Sequence, residues 1–260
     1  MRLKNGTKHL KYKIIRHKNS IMKTSNKLFL TAILVVIISL ITYDLSLRGQ
    51  YKKGTYKSRF YGFEKITAFN GFNKIDNRAA NLISIQVEKG NESVIWVKGV
   101  WKDRFNISRK GTTLVIEVAN KQSTQVSTYD NSITIICPSL DQVTTVPYLG
   151  KSGQNIIHSR VTTTVAGFTL NKLSLKISKG VELFLKGNQI DDLQASVGDE
   201  LSDNAKLTIS SSNQINNATI NVQGKNYLEI ENPVITKRNF TIADSASVAF
   251  SGSFLKLIGR

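Results

Sequence analysis

Cysteine is almost absent from the chain, and histidine and proline are scarce. The single cysteine, Cys137, lies in the apolar run Ile133-Thr-Ile-Ile-Cys-Pro, so no disulfide can form within the chain. We interpret it as a buried structural thiol. Because His158 is the only histidine of the C-terminal portion, Cys137 has no partners for a metal cluster. A domain built from this sequence must therefore be stabilised by its core.

Acidic residues are missing from the N-terminal end. Residues 1–27 contain nine Lys or Arg and no Asp or Glu, whereas the chain from residue 61 onward has 22 basic and 17 acidic residues. That leaves +5 of the total formal charge of +18 for the C-terminal part. We therefore expect no basic surface for nucleic acid. The basic arm, residues 1–27, is suited to contact anionic lipid head groups.

Charge is absent from a run that follows this arm. Residues 28–43 read LFLTAILVVIISLITY, and extension to Leu47 gives 20 residues with only Asp44 charged. A helix of that length spans about 30 Å, the thickness of a hydrocarbon core. The sequence predicts a transmembrane anchor at residues 28–47, with membrane lipid as its partner. A cleaved signal peptide is the alternative, but no small-x-small cleavage site follows the run.

Charge bias predicts the orientation of this anchor. Nine basic residues precede the apolar run and five follow it, in the basic linker that we assign to residues 48–60. This bias favours an N-terminus inside and a C-terminal domain in the periplasm or outside the cell. A start of translation at Met22 would weaken the bias.

From residue 61 onward, apolar and polar residues alternate. Examples are Ile83-Ser-Ile-Gln-Val, its expected partner strand Val94-Ile-Trp-Val, and Leu114-Val-Ile-Glu-Val. A period of two places the apolar side chains on one face of a strand. Turn sequences such as Lys110-Gly separate these runs. The pattern predicts an all-β domain over residues 61–260.

Similar strand pairs recur in the last ninety residues. They begin at residues 173, 193, 218 and about 239, a spacing of 20, 25 and about 21 residues. That period is typical of one coil of a β-solenoid, which buries an apolar stripe only when coils stack. An antiparallel β-sandwich is the alternative fold.

Three segments carry a family resemblance: Phe63-Glu-Lys-Ile through Ile83-Ser-Ile-Gln-Val, then Ile135-Ile-Cys-Pro-Ser-Leu-Asp-Gln-Val, and the repeated strand pairs. They resemble the GIN-type adhesin-head family, which is common in Bacteroidetes. The resemblance covers about residues 60–260. It implies a right-handed parallel β-helix and a location in the cell envelope. The chain departs from the family in having Asn, Lys or Asp at several coil corners where relatives have a Gly-Ser-Gly-rich signature.

Candidate catalytic groups are few. His158 lies near Ser159 and Thr162, but a nucleophilic triad also needs a positioned acid and an oxyanion site. Asp191-Asp192 and Asp199-Glu200 are consecutive pairs, so their side chains point to opposite faces of a strand. We interpret them as solvated acids and predict neither enzyme activity nor a cofactor or metal.

Two tryptophans suggest a ligand contact. Trp96 alternates with Ile95, so one of the two faces the core, and the simpler interpretation places Trp96 there and Trp101 over a strand end. An exposed Trp101, with Lys102 and Arg104 as a polar rim, could bind a glycan. We predict these three residues as ligand contacts and a protein or glycan as the partner of the solenoid face.

These observations predict a membrane-anchored envelope protein with a non-catalytic, adhesin-like binding or structural domain. Two alternatives stay open: a polysaccharide-acting enzyme on a β-helix scaffold, and an envelope-stress signalling protein whose N-terminal arm contacts a cytoplasmic factor.

Overall fold

The computed structural model describes residues 23–54, 58–119, 131–149 and 161–252. Most of the predicted arm and the site around His158 lie outside these residues. The chain divides into two compact units, Met1–Tyr61 and Gly62–Arg260.

The N-terminal unit contains one long helix, α1, over Thr24–Lys53. It continues through the first residues of the segment predicted as a linker. One reason is an ion pair across one helical turn, in which Arg48 Nε lies 2.9 Å from Asp44 Oδ2. The helix ends at Gly54, whose φ of 64° is the left-handed conformation that glycine adopts readily at a helix C-terminus.

The described part of the second unit has seventeen strands in two sheets. Sheet A has nine, in the order β1, β4, β7, β3, β9, β11, β13, β15, β17. They are Phe63–Ile66, Val94–Lys98, Asn131–Cys137, Ser84–Lys89, Thr162–Ala166, Glu182–Lys186, Asp203–Ile209, Lys225–Glu231 and Ser247–Ser251. Sheet B has eight, in the order β16, β14, β12, β10, β8, β2, β6, β5. They are Val234–Ile242, Gln214–Val222, Gln189–Val197, Thr169–Ile177, Gln142–Thr145, Lys74–Asn77, Thr113–Val118 and Phe105–Lys110.

From β9 onward, successive strands alternate between the two sheets, and each pairs in parallel with the strand two places later. In sheet B, Leu173 lies beside Leu193, Leu193 beside Ala218, and Ala218 beside Arg238. The register therefore advances by 20, 25 and 20 residues. Arg238 is exposed and ends this apolar row at the edge strand β16, a position where charge discourages further strand pairing.

The first half of the domain differs from a uniform parallel β-helix. β4 is antiparallel to both β1 and β7, and β5 is antiparallel to β6. The sheets are therefore mixed, and the prediction of a mostly β domain preceded by one apolar helix is confirmed.

The predicted pairing of Ile83–Val87 with Val94–Val97 is wrong. β3 pairs in parallel with β7 on one side and β9 on the other, so β7 separates it from β4. The reason lies in the buried side chains of β7, Ile133, Ile135 and Cys137, which extend the core between β3 and β4.

One hydrophobic cluster joins both sheets. It includes Leu183 and Leu207 of sheet A and Leu173 and Leu193 of sheet B, all fully buried. This shared core, in a layout resembling a sandwich, leaves the alternate side chains of each strand on the two outer faces.

Candidate functional site

The predicted ligand contacts Trp101, Lys102 and Arg104 lie together on a short 3-10 helix over Gly99–Arg104, between β4 and β5. Trp101 is half-buried and packs against the core. The guanidinium carbon of Arg104 lies 4.8 Å from the centroid of the Trp101 ring, a cation–π contact. Lys102 Nζ lies 2.5 Å from Glu64 Oε2.

These contacts pair Trp101, Lys102 and Arg104 with other groups of the chain. The hydrogen bond to Glu64, with the charge of that carboxylate, raises the pKa of Lys102 above its ordinary value. Arg104 covers one part of the Trp101 ring and the core another. A ligand would have to displace a partner here, and a role for the three residues in binding stays a prediction.

Trp96 lies on the outer face of sheet A, and the interpretation that placed it in the core is wrong. Its neighbours Ile95 and Val97 are both 1% exposed and take the inward positions. Lys65 pairs with Trp96 in the register, and its Nζ lies 5.9 Å from the ring centroid.

A cleft that the sequence did not reveal lies where three parallel strands of sheet B end. β8, β2 and β6 are neighbouring parallel strands, so their carboxyl ends lie side by side. Two adjoining depressions there, of about 480 and 350 Å³, share Arg78 and Tyr148. We call them together the Arg78 cleft. The first is also lined by Asp76, Thr144, Val146, Pro147 and Leu149, and the second by Asn106, Glu117, Val118 and Ala119.

Arg78 stands between two carboxylates. Its Nε lies 2.8 Å from Asp76 Oδ2, and its Nη1 lies 3.9 Å from Glu117 Oε2. Asn106 Nδ2 donates to the other oxygen of Glu117 at 3.5 Å. The Arg78 side chain remains 46% exposed. The cleft therefore presents hydrogen-bond donors and acceptors side by side.

Buried asparagines fix the walls of this cleft. The Asn81 side chain, 2% exposed, accepts a hydrogen bond from the Tyr148 N–H at 2.7 Å and donates to its carbonyl at 3.0 Å. Asn77, fully buried, accepts from the Ala79 N–H at 3.1 Å and donates to Thr163 Oγ1 at 3.2 Å. The loops that follow β2 and β8 are thus held in one arrangement.

The cleft has no local sequence signature. Its polar residues lie in or just after four strands, and close sequence neighbours are found only within the segments 76–78 and 144–148. The one available signal is that a charged residue stands at or just beyond the end of β2 and of β6.

The acidic pairs at residues 191–192 and 199–200 are not brought together into a catalytic pair. Asp191 accepts from Asn216 at 2.7 Å, and Asp192 accepts from Gln194 at 3.0 Å. Asp199 accepts from the Leu201 N–H at 3.0 Å. Within the four described segments of the chain, no group of three or more His, Cys, Asp or Glu side chains is placed to hold a metal ion.

Comparison with known proteins gives distant structural similarity. No protein-family model and no curated sequence matches the chain, so the resemblance to the GIN-type family is not confirmed. A candidate adhesin from Bacteroides fragilis is 14% identical, with 73% of this chain and 96% of that chain covered and a TM-score of 0.42. A candidate lipid-binding protein from Parabacteroides distasonis is 14% identical, with 73% and 96% covered and a TM-score of 0.34. A candidate adhesin from Parabacteroides merdae is 12% identical, with 73% and 95% covered and a TM-score of 0.36.

Proposed function

We propose that the chain is a membrane-anchored protein of the cell envelope whose β domain is a non-catalytic, adhesin-like binding module. The observation that carries this proposal is an apolar helix whose side chains are exposed throughout its apolar segment. Within α1, the segment Thr24–Gly49 is long and apolar enough to cross a membrane, and none of it is buried.

The exposed apolar side chains of α1 give the energetic reason to place this helix in a membrane. Between Leu28 and Ile41, eleven large apolar side chains are 41–69% exposed. Removing that many from water is worth on the order of 20 kcal/mol, at about 2 kcal/mol each. The described β domain encloses its own core, and a bilayer is the apolar phase that we propose for this helix. Lys27 and Arg48 flank the apolar segment on its two sides, where their amine and guanidinium can reach lipid head groups.

The finer architecture belongs to the same proposal. We take residues 161–252 to be the coils of a right-handed parallel β-helix, as the resemblance to the GIN-type family implied. Support comes from strands that alternate between the sheets and pair in parallel with a register that advances by 20 or 25 residues at each step. Connections between parallel strands are right-handed in about 98% of known cases.

The binding role is supported by the shape and chemistry of the Arg78 cleft. Its two depressions fall in the range of about 300–1,000 Å³ that is usual for small-ligand sites. The cleft lies at one edge of sheet B, on a scaffold held by buried asparagines. The charge bias of the N-terminal segments favours presentation of this domain on the far side of the membrane.

Fractionation of cells that express the full chain tests the anchor. We expect the protein to stay in the membrane pellet after alkaline carbonate extraction, at the mass of an uncleaved chain. A phosphatase fused after Arg260 should be active outside the cytoplasm. Val36→Arg, at the middle of the apolar segment, should reduce membrane retention far more than Tyr51→Arg, which lies beyond it.

Two results would overturn the proposal. One is a soluble, shortened chain, which would identify a cleaved signal peptide. The other is a fusion at Arg260 that is active only in the cytoplasm. Binding is tested separately, by retention of the detergent-solubilised full chain on capsular polysaccharide, peptidoglycan and envelope protein fractions, and retention on none of them would exclude a binding module.

A further inference from the structure

We propose that the Arg78 cleft binds a neutral saccharide, through Arg78 and its two carboxylate partners on one side and the Tyr148 wall on the other. This inference deepens the proposed function, on which it rests, by naming a ligand class and a site. It follows from the charge balance of the cleft, from its polar geometry and from its rigidity.

The charge balance disfavours charged ligands. Arg78 is the cation of the cleft, and it is already in contact with Asp76 at 2.8 Å and near Glu117 at 3.9 Å. An anionic ligand that reached Arg78 would meet both carboxylates at close range. A cationic ligand would have to compete with Arg78 for the same oxygens. A neutral ligand avoids both costs.

The polar geometry suits neighbouring hydroxyl groups. A sugar hydroxyl donates one hydrogen bond and accepts others, so adjacent hydroxyls can donate to a carboxylate and accept from a guanidinium at once. Asp76, Arg78 and Glu117 provide these two kinds of group in one row. Asn106, which donates to Glu117 at 3.5 Å, adds a planar amide to the row.

The part of the lining around Tyr148 suits the C–H face of a sugar ring. Tyr148 is half-buried, with its ring packed in part against the core, and Val146 and Pro147 lie beside it in the first depression. An aromatic ring with apolar neighbours offers dispersion contacts to the C–H groups of a pyranose.

Rigidity lowers the cost of binding. The Asn81 side chain fixes Tyr148 through two hydrogen bonds, and the Arg78 N–H donates to the Ile116 carbonyl at 2.8 Å. Both walls are thus held before a ligand arrives, which reduces the ordering entropy lost on binding.

Binding is measured with the full chain in detergent or nanodiscs, by calorimetry and saturation-transfer NMR. The probes are lactose, cellobiose, maltose and N,N′-diacetylchitobiose, with glucuronic acid as an anion and a triarginine peptide as a cation. We expect at least one neutral disaccharide to bind, with an affinity that changes little between low and high salt because no net charge is neutralised.

Variants locate the binding site. Tyr148→Leu and Arg78→Met should each weaken disaccharide binding about tenfold or more, as loss of one well-made contact does. Tyr148→Phe, which keeps the ring, should retain most of the affinity. Tyr227→Leu is the matched control, because Tyr227 is 42% exposed on sheet A, and it should leave binding unchanged.

The outcomes separate this inference from the proposed function. If the chain is retained on an envelope fraction but no disaccharide binds, the saccharide site is wrong and the binding module stands. Disaccharide binding that survives in both Tyr148→Leu and Arg78→Met would also remove the site. Tight, salt-sensitive binding of triarginine alone would show a peptide site and overturn the inference.

Discussion

The side chain of Asn81 holds the backbone of Tyr148 at both its N–H and its carbonyl, across 67 positions of sequence. This pair of hydrogen bonds ties the loop after β2 to the loop after β8. A second hydrogen bond joins the ends of the same two strands, since the Val146 backbone N–H donates to the Asn77 carbonyl at 2.7 Å. The walls of the Arg78 cleft therefore depend on buried amides more than on the surface ion pairs.

Asn81→Ala tests this dependence. The substitution leaves the Tyr148 N–H and carbonyl without their partner in a site where Asn81 was 2% exposed. We expect a loss of about 2–3 kcal/mol in the free energy of unfolding, because buried unsatisfied groups cost about 1–3 kcal/mol each. Urea unfolding of the detergent-solubilised chain, followed by tryptophan fluorescence, measures it.

Asn239→Ala is the matched control for this variant. Asn239 is exposed on the edge strand β16, and its loss should change the stability by less than about 0.5 kcal/mol. Equal effects of the two substitutions would show that the two hydrogen bonds between Asn81 and Tyr148 contribute nothing to stability.

Strand periodicity explains which parts of the fold were predictable. Leu173, Leu175 and Ile177 alternate with polar residues and are all buried in β10. The predicted turn at Lys110-Gly joins β5 to β6, and Gly111 there has a φ of 60°. Long strands with one buried face carry their structure in local sequence.

Short strands and pairing between distant segments explain why the sequence did not predict the Arg78 cleft. β2 and β8 each have four residues, with Ile75 and Val143 as their inward apolar residues, too few to reveal a period. Their pairing joins Asp76 to Thr144, which are far apart in the chain. The cleft depends on this pairing, so no local pattern could predict it. The 3-10 helix, by contrast, kept Trp101, Lys102 and Arg104 together because they are adjacent in sequence.

Gly224→Ala tests how closely the chain is packed between β14 and β15. Gly224 has a φ of 57°, and a Cβ there would lie 2.4 Å from the Ser202 carbonyl oxygen and 2.6 Å from the Asp199 carbonyl oxygen. Both the left-handed conformation and the contact with backbone oppose a side chain. We expect a loss of about 2–5 kcal/mol in the free energy of unfolding, from about 1–2 for the conformation and about 1–3 for the overpacking.

Gly111→Ala separates the two contributions. Gly111 has a similar φ of 60°, but no heavy atom lies within 4 Å of a Cβ at that position. Its substitution should cost only the conformational part, about 1–2 kcal/mol. If the two alanine variants unfold at the same urea concentration, the close packing around Gly224 does not add to the loss of stability.

Cys137 should be unreactive in the folded chain. It is fully buried, and burial raises the pKa of its thiol to about 12, against a weaker opposite effect of the Lys89 charge. Because it is the only cysteine, a thiol reagent such as DTNB reports on it alone. We expect negligible labelling of the native chain at pH 8 and complete labelling in urea. Rapid labelling without denaturant would contradict the buried position.

The same pKa shift predicts a pH dependence of stability. Between the ordinary pKa of 9.0 and the folded value of about 12, the unfolded chain loses the thiol proton and the folded chain keeps it. Stability should therefore fall as the pH rises through this window, by up to about 1.4 kcal/mol per pH unit. Cys137→Val removes the thiol at similar volume. From pH 8 to pH 11 the free energy of unfolding should therefore fall more for the wild type than for the variant.

Excision of one complete coil tests the β-helix. Asn188 and Asn213 occupy equivalent corners: the Asn188 N–H donates to Asn213 Oδ1 at 3.0 Å, and the Phe168 N–H donates to Asn188 Oδ1 at 3.0 Å. Deletion of residues 189–213 would join Asn188 to Gln214, the residue that normally follows Asn213. β10 would then pair with β14 and β11 with β15, so stacked coils predict a folded, shortened domain. Circular dichroism and a cooperative urea transition would report it.

A deletion of the wrong length is the control for this experiment. Removal of residues 189–200 takes out β12 but keeps β13, so the alternation between sheets is lost and the buried side chains of the following strands fall out of register. We expect that chain not to fold. If the fold is instead a sandwich whose strands form one cooperative set, excision of the full coil should be equally damaging. A loss of the cooperative transition in both deletions would therefore reject the β-helix, whereas folding of the 189–213 deletion alone requires coils that are equivalent and stack through nearest-neighbour contacts.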